Sequence, residues 1–174
     1  GQGVQKRIPR NAPALWNLGA REVRVLFHDG RLSVSDYYGN GFDSPAEEFL
    51  PGGLNSILAA QALFPVTSRF EMTGDQEDNE ISRAARRRIQ AAWPLIAKRV
   101  RSNPDYAEML TAAYGLSRRE EIDITHIANA LADFMSFEFR STDSPYDRFL
   151  RGEADGMTPA QHRGMALFFG EAGC

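Results

Sequence analysis

Apolar and polar positions alternate at Val23, Val25 and Phe27, stop at Asp29-Gly30, and alternate again at Leu32 and Val34. A period of two on both sides of a turn dipeptide predicts a β-hairpin. Before it, residues 1–21 are rich in Gly, Pro, Asn and Arg and read as an ordered loop leading into a short helix at Leu15–Leu18. After it, residues 36–53 (DYYGNGFDSPAEEFLPGG) are acidic and punctuated by Gly and Pro, so an irregular excursion is expected.

From Asn55 the spacing becomes helical. Ile57, Leu58, Ala60, Gln61 and Phe64 run up to Pro65, which should end that helix. GDQEDNE, residues 74–80, reads as a solvated acidic loop. Ile81 to Val100 is periodic enough for one long helix kinked at Pro94. Asn103-Pro104 opens a further helix that Gly115 closes. Asp123 caps the next, with Ile124, Ile127, Ala128, Leu131, Phe134 and Met135 in one apolar stripe. Ser144-Pro145 and Thr158-Pro159 start two short helices, and Thr158 with Gln161 fits a capping box. The fold class expected is mainly α, with one small β-hairpin and no repeats.

Composition narrows the class. The chain has 174 residues, 43% hydrophobic and 25% charged, as a globular domain does. Its net charge of -3 gives no general attraction for nucleic acid or anionic lipid. No apolar run approaches the roughly 20 residues of a membrane span. The opening GQGVQKRIPR lacks the charged start and apolar core of a leader, so any signal peptide is expected to have been removed or to lie upstream. The single cysteine, Cys174, excludes an internal disulfide framework.

Three ordered stretches resemble the bacterial di-haem cytochrome c peroxidases, including their MauG-type branch. They are RNAPALWN (10–17) with LFHDGR (26–31), then LPGGLNSILAAQALFPVTSRFEM (50–72), then SPYDRFLRGEADGMTPAQHRGMALFFGEAGC (144–174). The resemblance implies cytochrome c-like helical domains. Residues 1–141 would be most of the N-terminal, peroxidatic-haem domain without its C-x-x-C-H, and residues 142–174 the start of the C-terminal, electron-transfer domain. It implies two c-type haems with ligands largely outside these residues, and makes Cys174 the first cysteine of a C-x-x-C-H.

In the same terms Gln61, Pro65 and Glu71 match the family's distal-pocket residues in identity and spacing. Glu71 would be the acid-base group, Gln61 would orient it or a water, and Pro65 would shape the space above the iron. Spacing alone reads them equally as a solvated loop carboxylate, an exposed helix position and a helix stop. Gln61 and Pro65, four apart, are expected on one helix face. Asn11 resembles a calcium ligand, although a hard cation needs six or more oxygens. Asn11 also reads as a turn residue.

The implied activity is reduction of hydrogen peroxide with electrons from a small donor protein, a cytochrome c or cupredoxin, or use of peroxide to oxidise a partner. The implied location is the periplasm, with no nucleic-acid partner and no membrane span, and a homodimer is compatible with it. His28 departs from the family, which often has tryptophan there, so a simple tryptophan relay is in doubt. His126 reads as structural and His162 as exposed. Trp16, Trp93, Tyr37 and Tyr38 read as packing or as redox-active groups, and Arg83 with Arg86–Arg88 as a solvated face or a docking patch. A reading from another class stays open: a cofactor-free helical module that only binds a partner. The 174 residues alone are expected to hold no covalent haem and to be inactive.

Overall fold

In the computed structural model, which describes residues 11, 12, 14–75 and 78–174, the hairpin forms where alternation placed it. Strand β1 (Val25–Leu26) pairs antiparallel with β2 (Leu32–Val34), Leu26 opposite Leu32. The excursion supplies a third strand, β3 (Phe42–Asp43), antiparallel to β2 with Val34 opposite Phe42. Two residues are too short for a periodicity signal, and Asn40 fixes the strand by accepting from the Phe42 N–H through its side-chain oxygen at 3.1 Å. The expected helix at Leu15–Leu18 is a run of turns instead, tied down by the Asn17 N–H donating to the Phe139 carbonyl at 2.9 Å. Most of the loop expected over residues 1–21 lies outside the described residues.

Helix α1 (Ile57–Ala62) starts at Ser56, whose hydroxyl accepts from the Ala59 N–H. Its first four residues are all buried. Helix α5 (Ile124–Glu138) crosses it, and the contact is made on alanines: Ala59, Ala60, Ala128 and Ala132 are each 1% exposed or less. Small side chains at a crossing let helix axes approach closely. Leu32, Phe42, Leu58, Leu63 and Trp93 complete this core. The stripe on α5 is only partly absorbed, since Leu131 and Phe134 are about half exposed.

The long helix expected over residues 81–100 is two. Helix α2 (Glu80–Arg87) ends at Arg88, which is extended (φ -154°, ψ 133°), and a 3₁₀ turn at Ile89–Ala91 leads into α3 (Trp93–Arg101). Pro94 therefore sits in the first turn of α3, where its missing N–H costs nothing, rather than kinking a continuous helix. Helix α4 (Pro104–Tyr114) is capped by Asn103 and closed by Gly115 at φ 62°, as read.

The chain divides into two compact units, Gly1–Phe139 and Arg140–Cys174. The second holds α6 (Pro145–Leu150) and α7 (Pro159–Phe169), each opened by a capping box, Ser144 with Asp147 and Thr158 with Gln161. The Ser144 hydroxyl and backbone N–H hold the Asp147 carboxyl below the usual aspartate range. Gly156 packs so closely on α6 that a Cβ would lie 2.5 Å from the Phe149 nitrogen. The protein is thus mainly α with one small antiparallel sheet.

One polar clamp aligns α1 with α5. Asn129 accepts from the Asn55 N–H at 3.0 Å and donates to the Gly53 carbonyl at 3.0 Å, while Asn55 donates to Asp133 at 2.9 Å. Asn129→Ala removes two of these bonds and is expected to cost about 1–2 kcal/mol, read as a lower urea midpoint at unchanged slope.

Candidate functional site

The segment from Gln61 to Thr73 is built from three short pieces. Helix α1 ends after Ala62, where the Leu63 carbonyl accepts a 2.9 Å bond from the buried Trp93 indole N–H. Pro65 then opens a separate 3₁₀ turn, Pro65–Thr67, closed by the Thr67 hydroxyl donating to the Phe64 carbonyl at 2.8 Å. Gln61 and Pro65 are therefore not on one helix face: proline lacks the N–H that would continue α1. Both are half-buried.

Glu71 was expected in a loop and lies in a π-helical turn, Arg69–Thr73. Such turns are rare and concentrate at functional sites. The Ser68 carbonyl collects the N–H groups of Glu71, Met72 and Thr73 at 3.0–3.2 Å. At the other end Asn79, the N-cap of α2, donates to the Thr73 carbonyl at 2.8 Å. Gly74 follows at φ 72°, where a Cβ would also meet the Asp78 carboxylate, so this position requires glycine. Arg69 pairs with Asp75 and lies 5.2 Å from the centre of the Phe70 ring. The turn packs on the Pro65–Thr67 turn and on α2.

The outcome is an exposed Glu71 whose neighbours in sequence, Phe70 and Met72, are exposed apolar residues. Three residues that build this presentation, Ser68, Asn79 and Trp93, were not singled out for it in the sequence. Asn79 carried a readable signal, an N-cap ahead of the periodic Ile81 run, that the surrounding acidic residues obscured.

The other candidates are dispersed. Asn11 is exposed, and among the described residues no group of three or more His, Cys, Asp or Glu side chains could hold a metal ion. His28 lies 4.0 Å from the Asp29 carboxylate, which Arg31 also approaches at 3.4 Å. Desolvation pushes the Asp29 carboxyl up, but the Arg31 backbone N–H, the Arg31 guanidinium and His28 outweigh it and leave the group below the usual range. His126 Nδ1 is 2.7 Å from Asp123 in the capping box of α5, and the Tyr114 hydroxyl donates to its carbonyl. His162, expected to be exposed, is half-buried with its ring edge-on to Phe149 at 5.0 Å. Trp93 is core, and Arg83 with Arg86–Arg88 is solvated.

Cys174 is exposed. Ahead of it an apolar groove of about 370 Å³ runs along α7, lined by Tyr146, Met157, Met165, Phe168 and Phe169 among others.

The described residues form small helical units with one short antiparallel sheet, and Glu71 is exposed on a turn whose backbone is hydrogen-bonded at both ends. The sequence model of the di-haem cytochrome c peroxidase family matches residues 1–155, and the chain belongs to that family. It is similar to the methylamine utilization protein MauG of Methylorubrum extorquens, 31% identical over 122 residues, 70% of this chain and 29% of that protein. It is also similar to cytochrome-c peroxidase IdrP2 of a Pseudomonas species, 30% identical over 80 residues, 46% of this chain and 20% of that protein. The chain thus matches under a third of the length of these relatives. No solved structure matches it significantly. Family membership implies c-type haems.

Covalent attachment of such a haem takes two cysteines and a histidine that follows them. These 174 residues hold one cysteine and no complete C-x-x-C-H. The residues present therefore do not by themselves complete such an attachment.

Trp93→Phe strips the Leu63 carbonyl of its donor and leaves a void where the larger indole sat. A loss of about 1–3 kcal/mol is expected in denaturant unfolding.

Proposed function

We propose that this chain is the part of a periplasmic di-haem c-type cytochrome that forms the open, peroxide-facing side of the peroxidatic haem. Residues 1–141 belong to that haem's domain and residues 142–174 begin the electron-transfer domain. The observation that carries the reading is the presentation of Glu71: an exposed glutamate on a π-helical turn pinned at both ends, flanked in sequence by Phe70 and Met72.

The bound haem supplies the iron that takes up peroxide and the path for the electrons that reduce it. The chain supplies the proton traffic. With haem bound, Glu71 would hold and pass the proton that has to move from one peroxide oxygen to the other. Gln61, half-buried in the last turn of α1, orients Glu71 or an ordered water, and Pro65 shapes the space above the iron. Phe70 and Met72 exclude bulk water from the carboxylate once the face is covered. Asn11 would give one oxygen to a calcium ion whose other ligands come from elsewhere. The electrons come from a small donor protein, a cytochrome c or a cupredoxin, and oxidation of a partner is the second use of peroxide in this reading. No described helix is long and apolar enough to cross a membrane.

In the full-length, haem-loaded protein, Glu71→Gln is expected to lower peroxide turnover by about 10²–10⁴-fold with little change in KM for peroxide. A wild-type rate in that variant removes Glu71 from the acid-base role. Cys174 is the proposed first thioether cysteine of the electron-transfer haem, so Cys174→Ser should cost one covalently bound haem in a pyridine haemochrome assay. An unchanged haem count rules that attachment out.

A further inference from the structure

Phe27 has a left-handed backbone, φ 62°, which a bulky aromatic residue rarely adopts. Glycine would take this conformation without strain, and the chain places one three residues later, at Gly30. The ring of Phe27 meets Phe64 edge-on, with centroids 6.0 Å apart and planes at 79°. The Arg31 guanidinium lies 4.4 Å from the centre of the Phe27 ring. The turn is closed by the Gly30 N–H donating to the Phe27 carbonyl at 3.2 Å.

Phe64 is the joint of the candidate site. Its N–H donates to the Gln61 carbonyl at 3.1 Å, and its own carbonyl accepts from the Thr67 N–H and hydroxyl. Its side chain is 8% exposed, so it cannot turn without disturbing the core. The Ser68 N–H then bonds the Pro65 carbonyl at 3.1 Å, and Ser68 gathers the amides of the Glu71 turn. The orientation of Phe64 thus fixes how α1, the Pro65 turn and the Glu71 turn meet.

We infer that Phe27 is a positioning residue for the Gln61–Pro65–Glu71 face, acting through the edge of the Phe64 ring. This rests on the reading of that face given above. The strained backbone brings the ring to Phe64, and Arg31 holds it there. Phe27 touches no reacting atom and serves no proton-transfer role.

The test uses the full-length, haem-loaded protein with Phe27→Leu, Phe27→Tyr, Arg31→Gln and Glu71→Gln. Leucine keeps apolar bulk but loses the ring edge, whereas tyrosine keeps it. Phe27→Leu should lower kcat about tenfold with KM for peroxide nearly unchanged, and tyrosine should restore it. Independently of turnover, the Thr67 and Ser68 amides should exchange about tenfold faster in Phe27→Leu, while the Ile81 and Ser82 amides of α2 keep wild-type protection. The exposed Arg31→Gln variant, which does not threaten folding, should give the same pattern more weakly. Unchanged exchange at Thr67 and Ser68 in both Phe27→Leu and Arg31→Gln, or equal loosening of α2, overturns the inference. Wild-type turnover in Glu71→Gln, with Thr67 and Ser68 loosened as expected in Phe27→Leu, defeats the functional reading of Glu71 and leaves the positioning role standing.

Discussion

How α1 ends governs the rest of this protein. The helix is six residues long, too short to be stable by propensity, so it exists because one face is buried against α5 and the sheet. Leu63, just past its end, is buried, and an unpaired carbonyl acceptor there would be costly. Trp93 resolves this at Leu63 by placing an indole N–H 2.9 Å from the carbonyl, and both residues are almost fully buried. That one bond requires α3 to begin at a particular depth and angle. The break at Arg88 and the 3₁₀ turn before Trp93 are the means by which the chain reaches it.

Once α1 stops at Leu63, proline at position 65 is compatible with the turn that follows, and beyond the buried Phe64 each later piece is held mainly by hydrogen bonds to its backbone. A half-exposed segment has no core to fix its shape. Here the Ser68 carbonyl, the Thr67 hydroxyl and the Asn79 amide do so instead. The result leaves Glu71, Phe70 and Met72 exposed on a backbone whose polar groups are largely satisfied. A surface carboxylate held this way differs from one on a mobile loop: its backbone has already been ordered in folding, so less entropy is lost when a ligand comes to it.

Legibility from sequence followed the kind of interaction. The hairpin and the caps at Asn103, Asp123, Ser144 and Thr158 were readable because each is local, set by one residue and its neighbours within three positions. The two-helix course of residues 80–101 was not, since the break serves a contact thirty residues away, between Trp93 and Leu63. Strand β3 was missed because two residues cannot display alternation. Gln61, Pro65 and Glu71 were identified by resemblance. Their separation onto three different backbone pieces could not be read from a spacing of four and six, which is equally compatible with a helix and a loop.

The core of the first unit includes Leu32, Leu58, Leu63, Ala59 and Ala132, each 2% exposed or less. What stays outside is informative. Phe70, Met72, Leu131, Phe134 and Phe137 are all exposed by 46% or more, and in the second unit so are Leu150, Leu167, Phe168 and Phe169. Scattered apolar side chains are ordinary on a protein surface, but large ones clustered along a turn or one helix are depleted unless something covers them. In a family whose members carry two haems, apolar surface left beyond a completed core is where cofactor and remaining chain would be accommodated. On the proposed reading, a turn held in advance by Ser68 and Asn79 and adjoining the buried Phe64 would let Glu71 meet a reacting oxygen with little further ordering of its backbone.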